Sequence, residues 1–288
     1  MRETITYIRH SLQEIYPAGE LQALIRIIME SVCGLTTCQL LVGKDRDLSE
    51  KERSKIKEIV EGLRQQQPIQ YLLGEALFHG LTLKVTPAVL IPRPETAELV
   101  DLVLQDWPSE SSPRLLDIGT GSGCIAIALA KALPQADVSA IDVSPEALEV
   151  AQENAQLQEV KIRFQQADIL KVATEAILSD GIVGNVGLDG IVSNPPYILQ
   201  TESAQMERNV LAYEPHLALF VPDEDPLRFY RAIADYARIA LRPGGKLYFE
   251  INPLCAEAMV EMLQAKQFQA IEIKPDFYGQ ARFIHARI

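Results

Sequence analysis

Asn194, Pro195, Pro196 and Tyr197 follow the apolar run Leu188-Asp-Gly-Ile-Val-Ser193, which reads as a buried strand. Asn194 and Pro195 each precede a proline and are pushed away from helix toward extended backbone. Pro195 and Pro196 have fixed φ and no N–H, so the Asn194 side-chain oxygen and the Pro195 carbonyl can face a cleft without neighbouring amides consuming them. A planar –NH2 group, on an amide or an exocyclic amine, could give one hydrogen to each acceptor while Tyr197 covers its face. The plain alternative is a Pro-Pro turn that closes a strand. The order of the four residues at a strand's carboxyl end, where open α/β sheets bind ligands, favours a site. Asn194, Pro195 and Tyr197 are the candidate catalytic residues, and Asn194, Pro195, Pro196 and Tyr197 the candidate substrate contacts.

A second constellation lies upstream. Gly119, Thr120, Gly121, Ser122 and Gly123 follow Asp117-Ile118 and open the run Cys124-Ile-Ala-Ile-Ala-Leu-Ala. Glycines there let a ligand approach the backbone and use the helix N-terminus. Asp142 ends the next strand, 19 residues beyond Gly123, where a carboxylate can accept both ribose hydroxyls of an adenosine. Asp168 and Ile169 follow a third strand, where an adenine can be read. A dinucleotide dehydrogenase is the competing reading, but the spacing is G-x-G-x-G after an acid, not the G-x-G-x-x-G that admits a pyrophosphate. A carboxylate at Asp117 repels a pyrophosphate and attracts the amino group and sulfonium of S-adenosylmethionine. That cofactor is expected, on Asp117, Gly119 to Gly123, Asp142, Asp168, Ile169 and Asn194. A tight turn for the glycines and a helix cap for Asp142, ahead of Ser144-Pro145, are the structural alternatives.

The elements that must position these residues are legible from periodicity. Ile5, Ile8, Leu12 and Ile15, then Leu21, Leu24, Ile25 and Ile28, then Ile56, Ile59, Val60 and Leu63 follow helical spacing. Leu77, Leu81, Leu83 and Val85 suggest a hairpin turning at His79-Gly80. After a helix near Glu95–Gln105, strands are expected at Arg114–Asp117, Asp137–Asp142, Lys161–Gln165, Leu188–Ser193, Lys246–Ile251, Gln269–Lys274 and Arg282–Ala286. Helices fit at Gly123–Leu133, Pro145–Leu157, Pro226–Leu241 and Cys255–Gln264, and a loop fits Ser179 to Gly187. The fold class is therefore α/β, a seven-stranded, mostly parallel Rossmann-like sheet with a small N-terminal helical domain. Residues 1–74 form the helical domain, 75–94 a hairpin linker, and 95–288 the sheet domain.

Composition narrows the partners. The 288 residues carry 27 Lys and Arg against 39 Asp and Glu, a net charge of -12, which disfavours a broad phosphate-binding surface. Cys33, Cys38, Cys124 and Cys255 and the four histidines have no metal-ligand spacing, so reduced thiols and no metal are expected. Met1 to Pro17 carries charges throughout, and no apolar run is long enough to span a membrane. A soluble cytoplasmic monomer is expected.

Together these motifs resemble the HemK/PrmC family, the glutamine methyltransferases of peptide chain release factors. The resemblance runs from about Gln67 to the C-terminus, through Pro68-Ile-Gln-Tyr-Leu-Leu-Gly74-Glu-Ala-Leu-Phe78, Leu90-Ile-Pro-Arg-Pro-Glu-Thr96, Asp117 to Gly123, Ser193 to Tyr197, Tyr213-Glu-Pro215 and Leu241-Arg-Pro-Gly-Gly-Lys-Leu. It implies a helical domain that helps hold a class I release factor. It also implies methyl transfer to the side-chain nitrogen of the glutamine in that factor's Gly-Gly-Gln motif. Phe78 is then an expected second wall of the substrate pocket beside Tyr197. Arg93 and Glu95 fit either an ion pair latching the hinge or a substrate contact, and Tyr213-Glu214-Pro215 fits a loop packed beside the pocket. The chain departs from the family at Ala97, where a second glutamate is usual, and at Asn252-Pro253, where glycine is common after Glu250-Ile251. Glutamine methyltransferases of ribosomal proteins and adenine amino-methyltransferases of DNA or RNA share the tetrapeptide chemistry. The acidity and the lack of basic clusters with interleaved aromatics disfavour the nucleic-acid reading.

Overall fold

A computed structural model describes residues 1–36, 39, 46–171 and 187–288. Cys38, and the expected loop between Ser179 and Gly187 apart from Gly187 itself, lie outside the described residues. The chain divides into two compact units, one of Met1–Gly74 with Glu207–Tyr213 and one of Glu75–Met206 with Glu214–Ile288.

The first unit is helical. Helices α1 (Arg2–Leu12), α2 (Ala18–Cys33), α3 (Glu50–Arg64) and α4 (Ile69–Leu73) bury one apolar core of Ile8, Leu12, Leu24, Ile28, Ile56, Ile59 and Leu63. Ile15 falls beyond the end of α1. α3 opens on a capping box: Ser49 Oγ accepts from Glu52 N at 3.3 Å, and Ser49 N donates to the Glu52 carboxylate at 2.7 Å. The later helix α8 (Arg208–Tyr213) belongs to this unit, and Tyr213 donates its hydroxyl to Gln65 O at 2.9 Å.

The second unit is an α/β sheet domain. Hairpin β1 (Glu75–Phe78) and β2 (Leu81–Lys84) turns on His79 and Gly80, whose φ values of 48° and 77° suit a tight turn with both central residues left-handed. The hairpin, expected as a linker, groups with the second unit. Phe78 and Leu83 are buried in a core they share with Leu99, Val100 and Leu115. Asn154, fully buried on the later helix α7 (Pro145–Leu157), accepts from Lys84 N at 2.6 Å and donates to Lys84 O at 2.9 Å.

The main sheet has seven strands: β3 (Arg114–Ile118), β4 (Asp137–Asp142), β5 (Arg163–Gln166), β6 (Leu188–Ser193), β9 (Leu241–Glu250), β10 (Gln269–Pro275) and β11 (Ala281–Arg287). Their order is β5-β4-β3-β6-β9-β11-β10, with β11 antiparallel to both neighbours and the remaining pairs parallel. A small separate pair joins β7 (Ile198–Leu199) to β8 (Phe220–Val221). The sheet is flanked by α5 (Pro94–Leu104), α6 (Cys124–Ala132), α7, α9 (Arg228–Ala240) and α10 (Ala256–Ala265). β9 begins five residues before the expected Lys246, because Leu241 already pairs with Leu188 and a register shift absorbs the Pro-Gly-Gly stretch.

β3 is the point where the strand order turns, with β4 on one side and β6 on the other, so a crevice opens at its carboxyl end. Register makes that end a single row. Ile118 pairs with Ile141 and with Ser193, and Ser193 pairs with Phe249.

Gly190 lets β6 lie under Trp107. A Cβ at this position would stand 2.8 Å from the indole Cη2 and 2.9 Å from Leu115 Cδ2. Gly190→Ala is therefore expected to destabilise the protein by about 1–3 kcal/mol through overpacking. Urea unfolding should show a lower midpoint with an unchanged slope.

Candidate active site

Gly119, Asp142 and Asn194 each sit one step beyond, or at the end of, the aligned row Ile118, Ile141 and Ser193. One cavity of about 350 Å³ opens above them. It is lined by Gly119 to Ser122, Asp142, Asp168, Ile169 and Asn194 to Pro196, and closed by residues including Arg93, Thr96, Leu217, Phe229 and Ile233. The glycine loop and the tetrapeptide, far apart in sequence, thus face a common space.

The glycine loop is built for backbone exposure. Gly119 N and Thr120 N both donate to Ile141 O, at 2.9 and 3.1 Å, which folds the loop over the end of β4. A Cβ on Gly119 or Gly121 would meet nothing within 4 Å, so those positions face open space. Gly123 is different: its φ is +81°, and a Cβ would crowd Ala151 Cβ at 3.1 Å, so it seats α6 against α7. Asn154 completes the support by donating to Ser122 O at 2.9 Å.

Asp142 takes Gly121 N–H at 2.8 Å and Ser144 N–H at 3.0 Å. It therefore braces the loop as well as lining the cavity, while the cap of α7 is Ser144, whose Oγ accepts from Ala147 N at 3.1 Å. Burial pushes the Asp142 carboxyl upward, against these backbone hydrogen bonds. Asp168 accepts from Leu170 N at 3.0 Å and pairs with Lys171 at 3.1 Å.

Three expected site residues stand elsewhere than the sequence suggested. Asp117 does not line the cavity; it is 1% exposed, beneath the loop, where its Oδ2 accepts from Thr120 Oγ1 at 2.6 Å and Ala126 N at 3.3 Å. Tyr197 is not on the cavity wall either, since it packs beside the core of the sheet domain and donates its hydroxyl to Glu250 at 3.0 Å. Phe78 is core, held between the hairpin and α5, because an apolar inward position on a short strand is claimed by packing.

Arg93, Glu214 and Asn252 find definite partners, and Phe229 and Ile233 on α9 went unnoticed in the sequence. Arg93 pairs with the buried Glu214, which also accepts from Ile91 N at 3.1 Å, so Glu214 ties down the Pro-Arg-Pro segment within the second unit. Phe229 and Ile233, four apart on α9, supply an apolar wall that their helical spacing could have revealed. Asn252 donates to Tyr197 O at 3.2 Å and to Glu202 at 2.8 Å, which gives the departure from glycine there a local role. Among the described residues no cluster of His, Cys, Asp and Glu could hold a metal ion, and no helix is long and apolar enough to cross a membrane. Cys33, Cys124 and Cys255 are buried free thiols, with burial pushing Cys124 up to about 12.

Residues 109–270 match the family model of a methyltransferase domain, and residues 3–74 that of the PrmC N-terminal domain. A methyltransferase of known structure from Pyrococcus furiosus shares the fold, at a TM-score of 0.53 and 19% identity, covering 78% of this chain and 98% of its own. Fold and site define a Rossmann-like methyltransferase. A release factor glutamine methyltransferase of Bacteroides thetaiotaomicron is 47% identical over 286 residues, 99% of either chain, and one of Flavobacterium psychrophilum is 44% identical over 282 residues, 97% and 96% of the two. The chain belongs to the release factor glutamine methyltransferase family.

The methyl donor of this family is S-adenosylmethionine, and the residues present fit it. The buried Oδ1 of Asp117 and the buried Oγ of Ser122 have no hydrogen-bond partner, and open space lies over Gly119 and Gly121. A buried carboxylate with one oxygen left unpartnered favours a nearby cation. Burial pushes Asp117 up to about 7, with Asp142 adding to the rise and the bonds from Thr120 and Ala126 opposing it.

A raised folded pKa means that the native carboxyl holds a proton the unfolded chain has already lost. Its contribution to stability is therefore present at low pH and fades as pH rises through about 7. A cationic ligand reverses the preference by favouring the ionised form. Cofactor affinity is expected to tighten about tenfold from about pH 6 to about pH 8, with a proton released on binding at the lower pH. Isothermal titration in buffers of different ionisation enthalpy measures both, and Asp117→Asn should flatten the dependence.

Proposed function

We propose that this protein transfers a methyl group from S-adenosylmethionine to the side-chain amide nitrogen of the glutamine in the Gly-Gly-Gln motif of class I release factors. The observation that carries the reading is the shared cavity, in which the glycine loop and Asp142 stand on one side and Asn194, Pro195 and Pro196 on the other. The release-factor names of the relatives support the substrate.

When bound, the cofactor supplies an electrophilic methyl group on a sulfonium. The chain's own residues then solve the problem of the nucleophile. An amide nitrogen is poor because its lone pair is delocalised into the carbonyl, the resonance behind a rotation barrier of about 18–20 kcal/mol. Asn194 Oδ1 and the Pro195 carbonyl accept the two N–H groups and hold the –NH2 toward the methyl, so orientation and preorganised electrostatics lower the barrier. The apolar wall of Leu217, Phe229 and Ile233 helps exclude water. Gly119 to Gly123, Asp142, Asp168 and Ile169 hold the cofactor, and the charge of Asp117 acts on it from below the loop. Residues 1–74 assist in holding the release factor, and the enzyme acts as a monomer without nucleic acid.

Incubation with labelled cofactor and purified release factor tests the substrate. Label is expected on the wild-type factor and not on a version with the motif glutamine changed to alanine; equal labelling of the two would sink the assignment. Asn194→Ala should lower kcat by roughly 100-fold, the scale of losing one oriented hydrogen-bonding group, with little change in cofactor Kd. Asp142→Ala should instead weaken cofactor binding by about tenfold or more, since it removes a charged acceptor and releases Gly121.

A further inference from the structure

The register that aligns the site also brings a buried carboxylate beside Asn194. Ser193 pairs with Phe249, so the next residues along the two parallel strands, Asn194 and Glu250, are neighbours at the carboxyl end of the sheet. Glu250 is 1% exposed and Thr96, at the start of α5, is 3% exposed. Three hydrogen bonds run through them. Asn194 Nδ2 donates to Thr96 Oγ1 at 3.0 Å, Thr96 Oγ1 donates to Glu250 Oε2 at 2.7 Å, and the Tyr197 hydroxyl donates to Glu250 Oε1 at 3.0 Å.

The direction of this chain is imposed by donor count. Both hydroxyls point their protons at Glu250, whose carboxyl oxygens accept. Thr96 has one proton, and with that proton committed its oxygen is left only lone pairs. It can therefore face the –NH2 of Asn194 and not the carbonyl. The amide is fixed with Nδ2 toward Thr96, which leaves Oδ1 on the other branch of the planar amide, turned away from Thr96.

We propose that Thr96 and Glu250 are positioning residues for methyl transfer, which set the direction of the Asn194 amide so that its oxygen, and not its –NH2, meets the substrate nitrogen. The inference rests on the reading of Asn194 given above. An asparagine without such a chain has two orientations of similar shape, and the wrong one sets –NH2 against –NH2, donors facing donors. The surrounding structure holds Glu250 in place. Tyr230 donates its hydroxyl to Glu250 O at 3.1 Å, Glu250 pairs across the sheet with Phe283, and the charge of Arg282, itself bonded to Asp276 at 3.1 Å, lies near the carboxylate. Burial pushes the Glu250 carboxyl up, and the bonds from Thr96 and Tyr197 and the charge of Arg282 pull it back, while Glu95 opposes them.

Thr96→Val keeps the shape and removes the acceptor, whereas Thr96→Ser keeps the hydroxyl. Thr96→Val is expected to lower kcat for release-factor methylation by about tenfold or more, the loss of one oriented group, with cofactor Kd close to wild type and Tm lowered, because the buried Glu250 carboxyl loses a donor. Thr96→Ser should recover most of that loss. A wild-type kcat in Thr96→Val, or a Thr96→Ser no better than Thr96→Val, overturns the proposal. A second readout is independent of any substrate. The side-chain amide protons of Asn194, assigned in NMR spectra by their disappearance in Asn194→Asp, should exchange slowly in the wild type and at least tenfold faster in Thr96→Val. Equal exchange in the two proteins overturns the proposal even if the release-factor assignment stands. Slow exchange that is lost in Thr96→Val supports it even if that assignment falls.

Discussion

Three parallel strands end in one row, and the site exists because of that register. Ile118 lies between Ile141 and Ser193, and Ser193 Oγ donates to Ile118 O at 2.6 Å, which pins the central pair at its last rung. Side chains on a strand alternate between faces, so a slip of one residue in β6 would reverse what the strand shows to each side. It would carry the tetrapeptide off the row with it. No rearrangement of loops could recover the glycine turn, the acid on β4 and the asparagine on β6 as neighbours.

Beneath that row the polar groups are few, buried and almost all engaged. Asn154 holds both ends of Lys84 and the carbonyl of Ser122, Glu214 holds Ile91 and Arg93, and Glu250 holds Thr96 and Tyr197. Each is a side chain in service of a backbone segment or of another side chain. A buried polar group is tolerable only when its hydrogen bonds are met, so these residues constrain the loops above them tightly. Two of the buried polar atoms without a partner, Oδ1 of Asp117 and Oγ of Ser122, lie at and beneath the glycine loop.

Much of this was legible in the sequence. The seven strands and their helices follow from period and punctuation, and the bounds of β4, β6 and α7 agree with the pattern to the residue. The backbone positions of the site were legible too, because Gly119, Gly121, Asn194 and Pro195 owe their places to local chemistry at strand ends. Side-chain direction was not. Phe78 and Tyr197 were expected as pocket walls, and both rings pack against the core, because a ring does not reveal in sequence which face the packing will claim; the Asp117 carboxylate lies beneath the loop instead of on the cavity wall. Thr96, Asn154 and Glu250 were hidden for the complementary reason. Their partners are 98, 70 and 154 positions away, and no local pattern records a hydrogen bond that long.

The helical unit is discontinuous in sequence. Its last helix, α8, arrives only after most of the sheet domain, and the hydroxyl of Tyr213 closes on the carbonyl of Gln65 across 148 positions. During synthesis the two halves of that unit leave the ribosome on the order of ten seconds apart, at ordinary rates of elongation. Residues 1–74 are therefore made well before the helix that completes their unit. Its opening helices must wait as an incomplete bundle while the strands of the other unit emerge, which makes the newborn chain, more than the mature enzyme, dependent on the apolar seam of α1, α2 and α3 staying closed.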